Sequence, residues 1–340
     1  MKPFDKESIL QKYLRPSSQL LNDIVKIDGD ILILGAGGKM GPALAKLAKD
    51  AINETKIQKQ VIAASRFSDP AVWNDLNNYG ITTIKADLLN EDDLKKLPET
   101  PNVIYLAGHK FGTTGNESYT WAMNTFLPGM VAQKFKQSNI VVFSSGNVYP
   151  LSPVTSGGIT EDMPASPIGE YAQSCLGRER IFQYFSKKNN TPILIYRLNY
   201  ANDVSYGVLL EIARSVYGEK EIDLTMGNVN VIWQGDANEI AIRSLLHCAV
   251  PAKMLNVTGP ETISVRWIAG EFGKAFNKTP KFIGIEESNA LLSNAAECFN
   301  LFGYPNISLK QMIELISHWV IEGGKIKEKP THFQEREGKF

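Results

Sequence analysis

The chain has 340 residues, 43% of them hydrophobic and 21% charged, enough apolar material to bury a large core as one α/β domain or as one domain with a smaller lobe. Lysine plus arginine and aspartate plus glutamate number 36 each, so no net field draws the protein to nucleic acid or to an anionic membrane, and a small ligand met by local contacts is the expected partner. Cys175, Cys248 and Cys298 are widely spaced without a Cys-x-x-Cys pair, and only four histidines are present. That argues against a metal cage or a disulfide framework and for a reduced, cytoplasmic setting. Met1 to Glu7 hold no apolar signal core, and no run approaches the roughly 18 apolar residues of a membrane helix; a soluble, unexported protein is expected.

In chain order, residues 5 to 27 predict helix, with Ile9, Leu10, Tyr13 and Leu14 before Pro16 and Leu20, Leu21, Ile24 and Val25 after it. Residues 1–28 therefore read as an N-terminal helical extension, a packing arm or a dimer element. From Asp30 the period changes: Ile31 to Leu34 is a continuous apolar run that ends in glycines and leads into a helical stretch over 42–48. Further apolar strands are predicted at 61–64, 81–84, 103–106, 140–143 and 193–196, with helical stretches between most of them. Parallel strands need crossover connections, so this alternation predicts a Rossmann-type, doubly wound parallel sheet over 29–200. Beyond it the pattern loosens into helices near 207–217, 236–249, 264–276 and 308–322 and short strands at 222–224, 230–233, 254–257 and 281–285. A smaller C-terminal α/β lobe over 201–322, interleaved with the last sheet strands, is the expectation. The tail, 323–340, is either a disordered end or a strap along the surface.

Gly35-Ala36-Gly37-Gly38-Lys39-Met40-Gly41 follows the first sheet strand and opens a helix, the context of a dinucleotide site. Without side chains the backbone turns sharply and approaches a pyrophosphate, whose charge the free amides and the positive end of the helix stabilise. The end of the second strand distinguishes the two nicotinamide cofactors, because a carboxylate there accepts from the ribose hydroxyls and a cation tolerates an added phosphate. Ser65-Arg66 supplies no carboxylate before Asp69, and Arg66 with Lys39 favours NADP(H) over NAD(H). Asp87-Leu88, after the third strand, is expected against the adenine.

Downstream, Tyr105-Leu106-Ala107-Gly108-His109-Lys110 follows the fourth strand, and Asn124 lies on the next helix. Val142 to Tyr149, reading Val-Phe-Ser-Ser-Gly-Asn-Val-Tyr, ends the fifth strand, and Tyr171-Ala172-Gln173-Ser174-Cys175-Leu176-Gly177-Arg178-Glu179 opens another helix. With Gly35-x-x-Gly38-x-x-Gly41, these stretches resemble the extended short-chain dehydrogenase/reductases, specifically the NAD-dependent epimerase/dehydratase branch, over about residues 30 to 322. The resemblance implies a nicotinamide cofactor at the glycine turn and at Leu106, Ala107, Gly108, Lys110, Asn124, Tyr171 and Leu198, the last where a proline is usual. It implies Ser145 and Tyr171 at the reacting oxygen, a sugar or nucleotide-sugar-like substrate, and a homodimer formed by helices near 120–136 and 170–187.

One position departs from that pattern. In the family a tyrosine moves a proton to or from a substrate hydroxyl while hydride passes to or from the nicotinamide. A free tyrosine, with a pKa of about 10, needs positive charge nearby to act as a base near pH 7. The usual lysine, four residues on and on the same helix face, supplies it. Here that residue is Cys175. Another cation stands in (Lys110, Arg178 about two turns along the same face, or the oxidised nicotinamide), or the substrate is activated elsewhere, or the protein is a catalytically silent cofactor-binding sensor or scaffold. Cys175 has no histidine visibly paired with it as a nucleophile. His109, at the rim of the site, is a candidate for substrate contact or acid–base work. The formal Tyr-x-x-x-Lys at Tyr184 to Lys188 reads as chance, and no metal ligands are assigned.

Overall fold

The computed structural model describes residues 13–327 and 331–339. Seven parallel strands form one sheet: β1 (Ile31–Leu34), β2 (Val61–Ser65), β3 (Thr82–Lys85), β4 (Asn102–Tyr105), β5 (Asn139–Ser145), β6 (Ile193–Leu198) and β7 (Lys253–Val257), in the order β7-β6-β5-β4-β1-β2-β3. All six pairings are parallel. The continuous apolar runs follow from burial on both faces: Ile31 and Ile33 face one hydrophobic core, and Leu32 and Leu34 face another on the opposite side. β3 closes one edge with exposed Thr82 and Lys85.

Helices α2 (Gly41–Thr55), α3 (Pro70–Asn78), α4 (Glu91–Lys96), α5 (Glu117–Trp121), α6 (Leu127–Lys134) and α7 (Gly169–Asn189) make the crossovers. Their ends follow local chemistry. Asp69 caps α3, with Pro70 in its first turn. Asn90 caps α4, which carries Glu91, Asp92 and Asp93 first and Lys95 and Lys96 last, in line with its dipole. Between α5 and α6 a π-helical turn, Ala122–Phe126, leaves Asn124 fully buried.

The N-terminal extension differs from a single helix. Tyr13 and Leu14 are helical, the chain breaks at Pro16, and α1 (Ser18–Ile24) starts at the Ser17 cap; residues 1–12 lie outside the described ones. Leu20 and Ile24 of α1 join the main core. Ser17 and Asp23 bond Glu239 and Arg243 of α9 (Gln234–Arg243) at 2.5 and 2.8 Å.

The C-terminal lobe packs α8 (Val208–Tyr217), α10 (Val265–Phe276) and α12 (Leu309–Ile321) around Leu209, Ile268, Phe272 and Ile316, with α11 (Ala296–Phe302) beside β7. Short two-stranded pairs flank it, Glu221–Asp223 with Lys281–Ile283 and Asn228–Val229 with Ile263–Ser264. β7 lies in the main sheet beside β6.

The tail is a strap. Lys327 N–H donates to Ser205 O at 2.9 Å, and Lys327 Nζ donates to Lys39 O at 3.3 Å. Thr331 bonds Glu211, Phe333 is buried in the lobe core, and Arg336 donates to Thr225 O at 3.0 Å and Asn289 O at 3.1 Å. His332 lies beside Phe111, ring centroids 5.8 Å apart, and Gly338 packs backbone to backbone on Ile168 and Gly169. The strap thus touches the glycine turn, the loop after β4 and the start of α7.

Candidate active site

The sequence-predicted residues gather at the carboxyl ends of β1, β4 and β5, where ligands bind open α/β sheets. Gly35, at φ +85°, has no room for a Cβ, which would lie 2.7 Å from Ala107 N. At Gly41 a Cβ would strike the Ala36 carbonyl. These two glycines let β1, α2 and the loop after β4 close on one another. Gly38 is different: only Gly35 O, at 3.3 Å, would neighbour its Cβ, so it borders open space. Met40 is the N-cap of the 15-residue α2 and no side chain caps the first turn, leaving its amides for an anion. The turn fits a pyrophosphate.

At the end of β2, Ser65 comes up under Gly37, whose Cβ would sit 2.8 Å from Ser65 Oγ, and Arg66 is exposed. Lys39 extends from the glycine turn toward the lobe. Its amine lies 4.0 Å from the Phe111 ring centroid and 3.6 Å from that of Tyr206, a cation between two rings that ties the glycine turn to the lobe. Asp87 is exposed after β3 and accepts from Leu89 N–H at 3.1 Å, with Leu88 buried beside it.

Leu106 N–H donates to Leu34 O at 2.8 Å, fixing the start of the loop that carries Ala107, Gly108, His109 and Lys110. Asn124 holds that loop from below. Its Oδ1 accepts from His109 N–H at 2.8 Å, and its Nδ2 donates to His109 O at 2.8 Å and Ser174 Oγ at 2.9 Å. His109 is placed by its backbone, and its ring meets Tyr119 edge to face at 5.0 Å. Leu198, half-buried, pairs with Ser145 across β6 and β5.

Ser145 and Cys175 both lie within hydrogen-bonding reach of the Tyr171 side chain. Ser145 Oγ also donates to Asn147 Oδ1 at 2.8 Å. Burial pushes the Tyr171 phenol well up, with Cys175 adding to the shift while Arg178 and Ser145 oppose it. Burial likewise raises the Cys175 thiol against the pull of Arg178. At neutral pH both are protonated. The phenol rests as a proton donor and becomes a base only when more positive charge arrives. Lys110 Nζ lies 5.3 Å from the Tyr171 ring centroid, and burial lowers its amine to about 8, Cys175 opposing. Tyr184 is 56% exposed on the outer side of α7, with Lys188 over its ring at 5.5 Å, apart from this cluster.

Sequence reasoning missed Phe111, Tyr206, Lys327 and His332, which meet the glycine turn and the loop after β4 from separate segments. No spacing rule joins them. The nearest signal is the tail, which the sequence leaves open between a disordered end and a strap.

No curated protein matches this sequence significantly. Among solved structures, UDP-glucuronic acid 4-epimerase from Bacillus cereus, in complex with UDP-glucuronic acid and NAD, is similar with a TM-score of 0.70 at 17% identity, covering 86% of this chain and 99% of its own. An epimerase from Methanothermobacter thermautotrophicus gives 0.72 at 18% identity, covering 90% and 96%. The UDP-Glc/GlcNAc 4-epimerase of Campylobacter jejuni gives 0.70 at 17%, covering 87% and 100%. At these identities the likeness establishes the fold. The sequence itself matches the NAD dependent epimerase/dehydratase family over residues 31–217, more than half of the chain, and the protein belongs to that family.

Proposed function

We propose that the protein binds a nicotinamide dinucleotide at the glycine turn and carries out epimerase- or dehydratase-type chemistry on a hydroxylated carbohydrate, of the sugar or nucleotide-sugar class. The observation that carries this reading is the Ser145–Tyr171 pair, within hydrogen-bonding reach of each other at the carboxyl edge of the sheet that also bears the open cradle at Gly38. A nicotinamide held there supplies hydride transfer at the carbon bearing the reacting oxygen. Ser145 hydrogen-bonds that oxygen, and Tyr171 gives or takes its proton. Lys110 reaches the same space from the loop after β4 and adds positive charge toward the cofactor. The similar epimerases that bind UDP-sugars and NAD support the substrate class and the cofactor type.

NADP(H) is the preferred form, because β2 ends in Ser65 and exposed Arg66 and offers no carboxylate to the ribose. A homodimer is proposed through α5, α6 and α7, where Trp121, Phe126, Gly129, Met130 and Ile181 line an apolar groove and Phe126 is 62% exposed. The test is calorimetric titration of the cofactor-stripped protein with NADP+ and with NAD+, followed by a screen of sugars and nucleotide sugars for epimerised or dehydrated product. Binding of either with turnover of one substrate upholds the reading. Binding without turnover of any of them favours a silent sensor or scaffold, and no binding removes the cofactor site.

A further inference from the structure

Two buried arginines lie close to the candidate site, and they are held differently. Arg197, on β6, is fully matched: Nε and Nη2 donate to the two carboxylate oxygens of Glu179 at 2.9 and 2.6 Å, and Nη1 donates to Tyr149 Oη at 2.5 Å. It is an internal ion pair of the fold. Arg178, on α7, is only 6% exposed and meets neutral acceptors instead, Phe143 O and Asn124 Oδ1, each at 2.7 Å. Its Nε–H finds no acceptor, and no carboxylate of the described residues comes within ion-pair distance of it. Glu179, the neighbouring acid, is taken by Arg197 and by Ser144 Oγ at 2.6 Å.

A buried guanidinium that makes no direct ion pair is costly and does not relieve the cost by losing its proton. A fold with no use for such a charge gains by replacing it. On its other sides Arg178 faces the candidate site: Cys175, Tyr105 and Tyr171 interact with its charge, as does the Glu179 carboxylate that Arg197 holds. Its guanidinium is 5.9 Å from the Tyr105 ring centroid, and a Cβ on Gly108 would come within 2.6 Å of Nη2, so the loop after β4 lies directly against it.

We propose that Arg178 is the resident cation of this site, supplying from one turn further along α7 the positive charge that position 175 lacks. The inference rests on the reading of Ser145 and Tyr171 as the reacting pair. It also accounts for the cysteine, since a lysine at 175 would stand one turn from a second buried cation. Arg178 acts through Tyr171 and Asn124 and is a positioning residue. Lys110, from the loop after β4, adds a charge that is lost as pH rises, whereas the guanidinium keeps its own.

The test uses the full chain labelled with ring-fluorinated tyrosine, whose phenol ionises at lower pH than that of tyrosine. The Tyr171 resonance is assigned by its loss in Tyr171→Phe and titrated by fluorine NMR without cofactor. Arg178→Met is expected to raise the titration midpoint by about one pH unit or more, a tenfold change in the ionisation constant. Arg178→Lys should hold it near the native value, and Cys175→Lys added to Arg178→Met should bring it back. An unchanged midpoint in folded Arg178→Met overturns the proposal. Equal rises in Arg178→Met and Arg178→Lys also overturn it, because the hydrogen bonds and not the charge would then be responsible. A further arm leaves the arginine in place. Cys175→Lys alone should lower the thermal midpoint by several degrees, and full native stability overturns the proposal. Failure to bind a dinucleotide would strike the functional reading and leave this titration standing.

Discussion

Replacing Tyr171 by phenylalanine removes the hydroxyl that Ser145 and Cys175 both reach, while the ring keeps its place on α7. Turnover of any substrate found by product analysis should fall by about 10²–10⁴-fold, the usual worth of a positioned proton-transfer group. Dinucleotide affinity measured by calorimetry should change little. A variant that retains native turnover would move the proton transfer elsewhere. Lys110 sets a pH dependence. Burial holds its amine at about 8, so the charge is present below that value and lost above it. Affinity for the anionic cofactor should therefore weaken several-fold between pH 7 and pH 9, and Lys110→Arg should flatten the profile. A profile that stays steep in Lys110→Arg would assign it to another group.

At the scale of single elements, the glycine turn and α7 carry different kinds of constraint. A Cβ at position 41 meets the Ala36 carbonyl, so Gly41→Ala should cost about 1–3 kcal/mol by overpacking and weaken dinucleotide binding with it. Denaturant unfolding and calorimetry read the two effects separately. On α7 the Glu179–Arg197 pair is buried on both sides. Glu179→Ala strands the Arg197 charge and should destabilise by about 3–5 kcal/mol, whereas an exposed pair such as Lys95–Glu91 should give less than about 1 kcal/mol. These elements were largely legible in the sequence because their signals are local: apolar runs of strand length, glycines at a strand end, and a tyrosine at a fixed distance from a serine. Arg178 was legible as a charge on the same helix face as Tyr171. That it is buried without a carboxylate was not, because the acid beside it in sequence is consumed by Arg197, which comes from another strand. The cage around Lys39 was hidden for the same reason: Phe111 and Tyr206 reach it from the loop after β4 and from the lobe.

For the whole molecule, the exposed apolar groove beside Phe126 predicts that Phe126→Glu converts a dimer to a monomer in sedimentation, without loss of the fold; a native protein that sediments as a monomer would end that proposal. The C-terminal strap joins the lobe to the glycine turn through Lys327, to the loop after β4 through His332, and to α7 through Gly338, so a dinucleotide held at the glycine turn as proposed would share the mouth of the cleft with the strap. A reaction that returns its hydride within each cycle is redox-neutral and needs no fresh dinucleotide. A net oxidation needs a new one every time, and each exchange would have to unfasten the chain's own end. A dinucleotide that the strap must release in this way would be resident: the protein should leave its first purification column with dinucleotide already bound. Phe333→Ala, by loosening the anchor of the strap in the lobe core, should speed cofactor release far more than it changes any redox-neutral turnover.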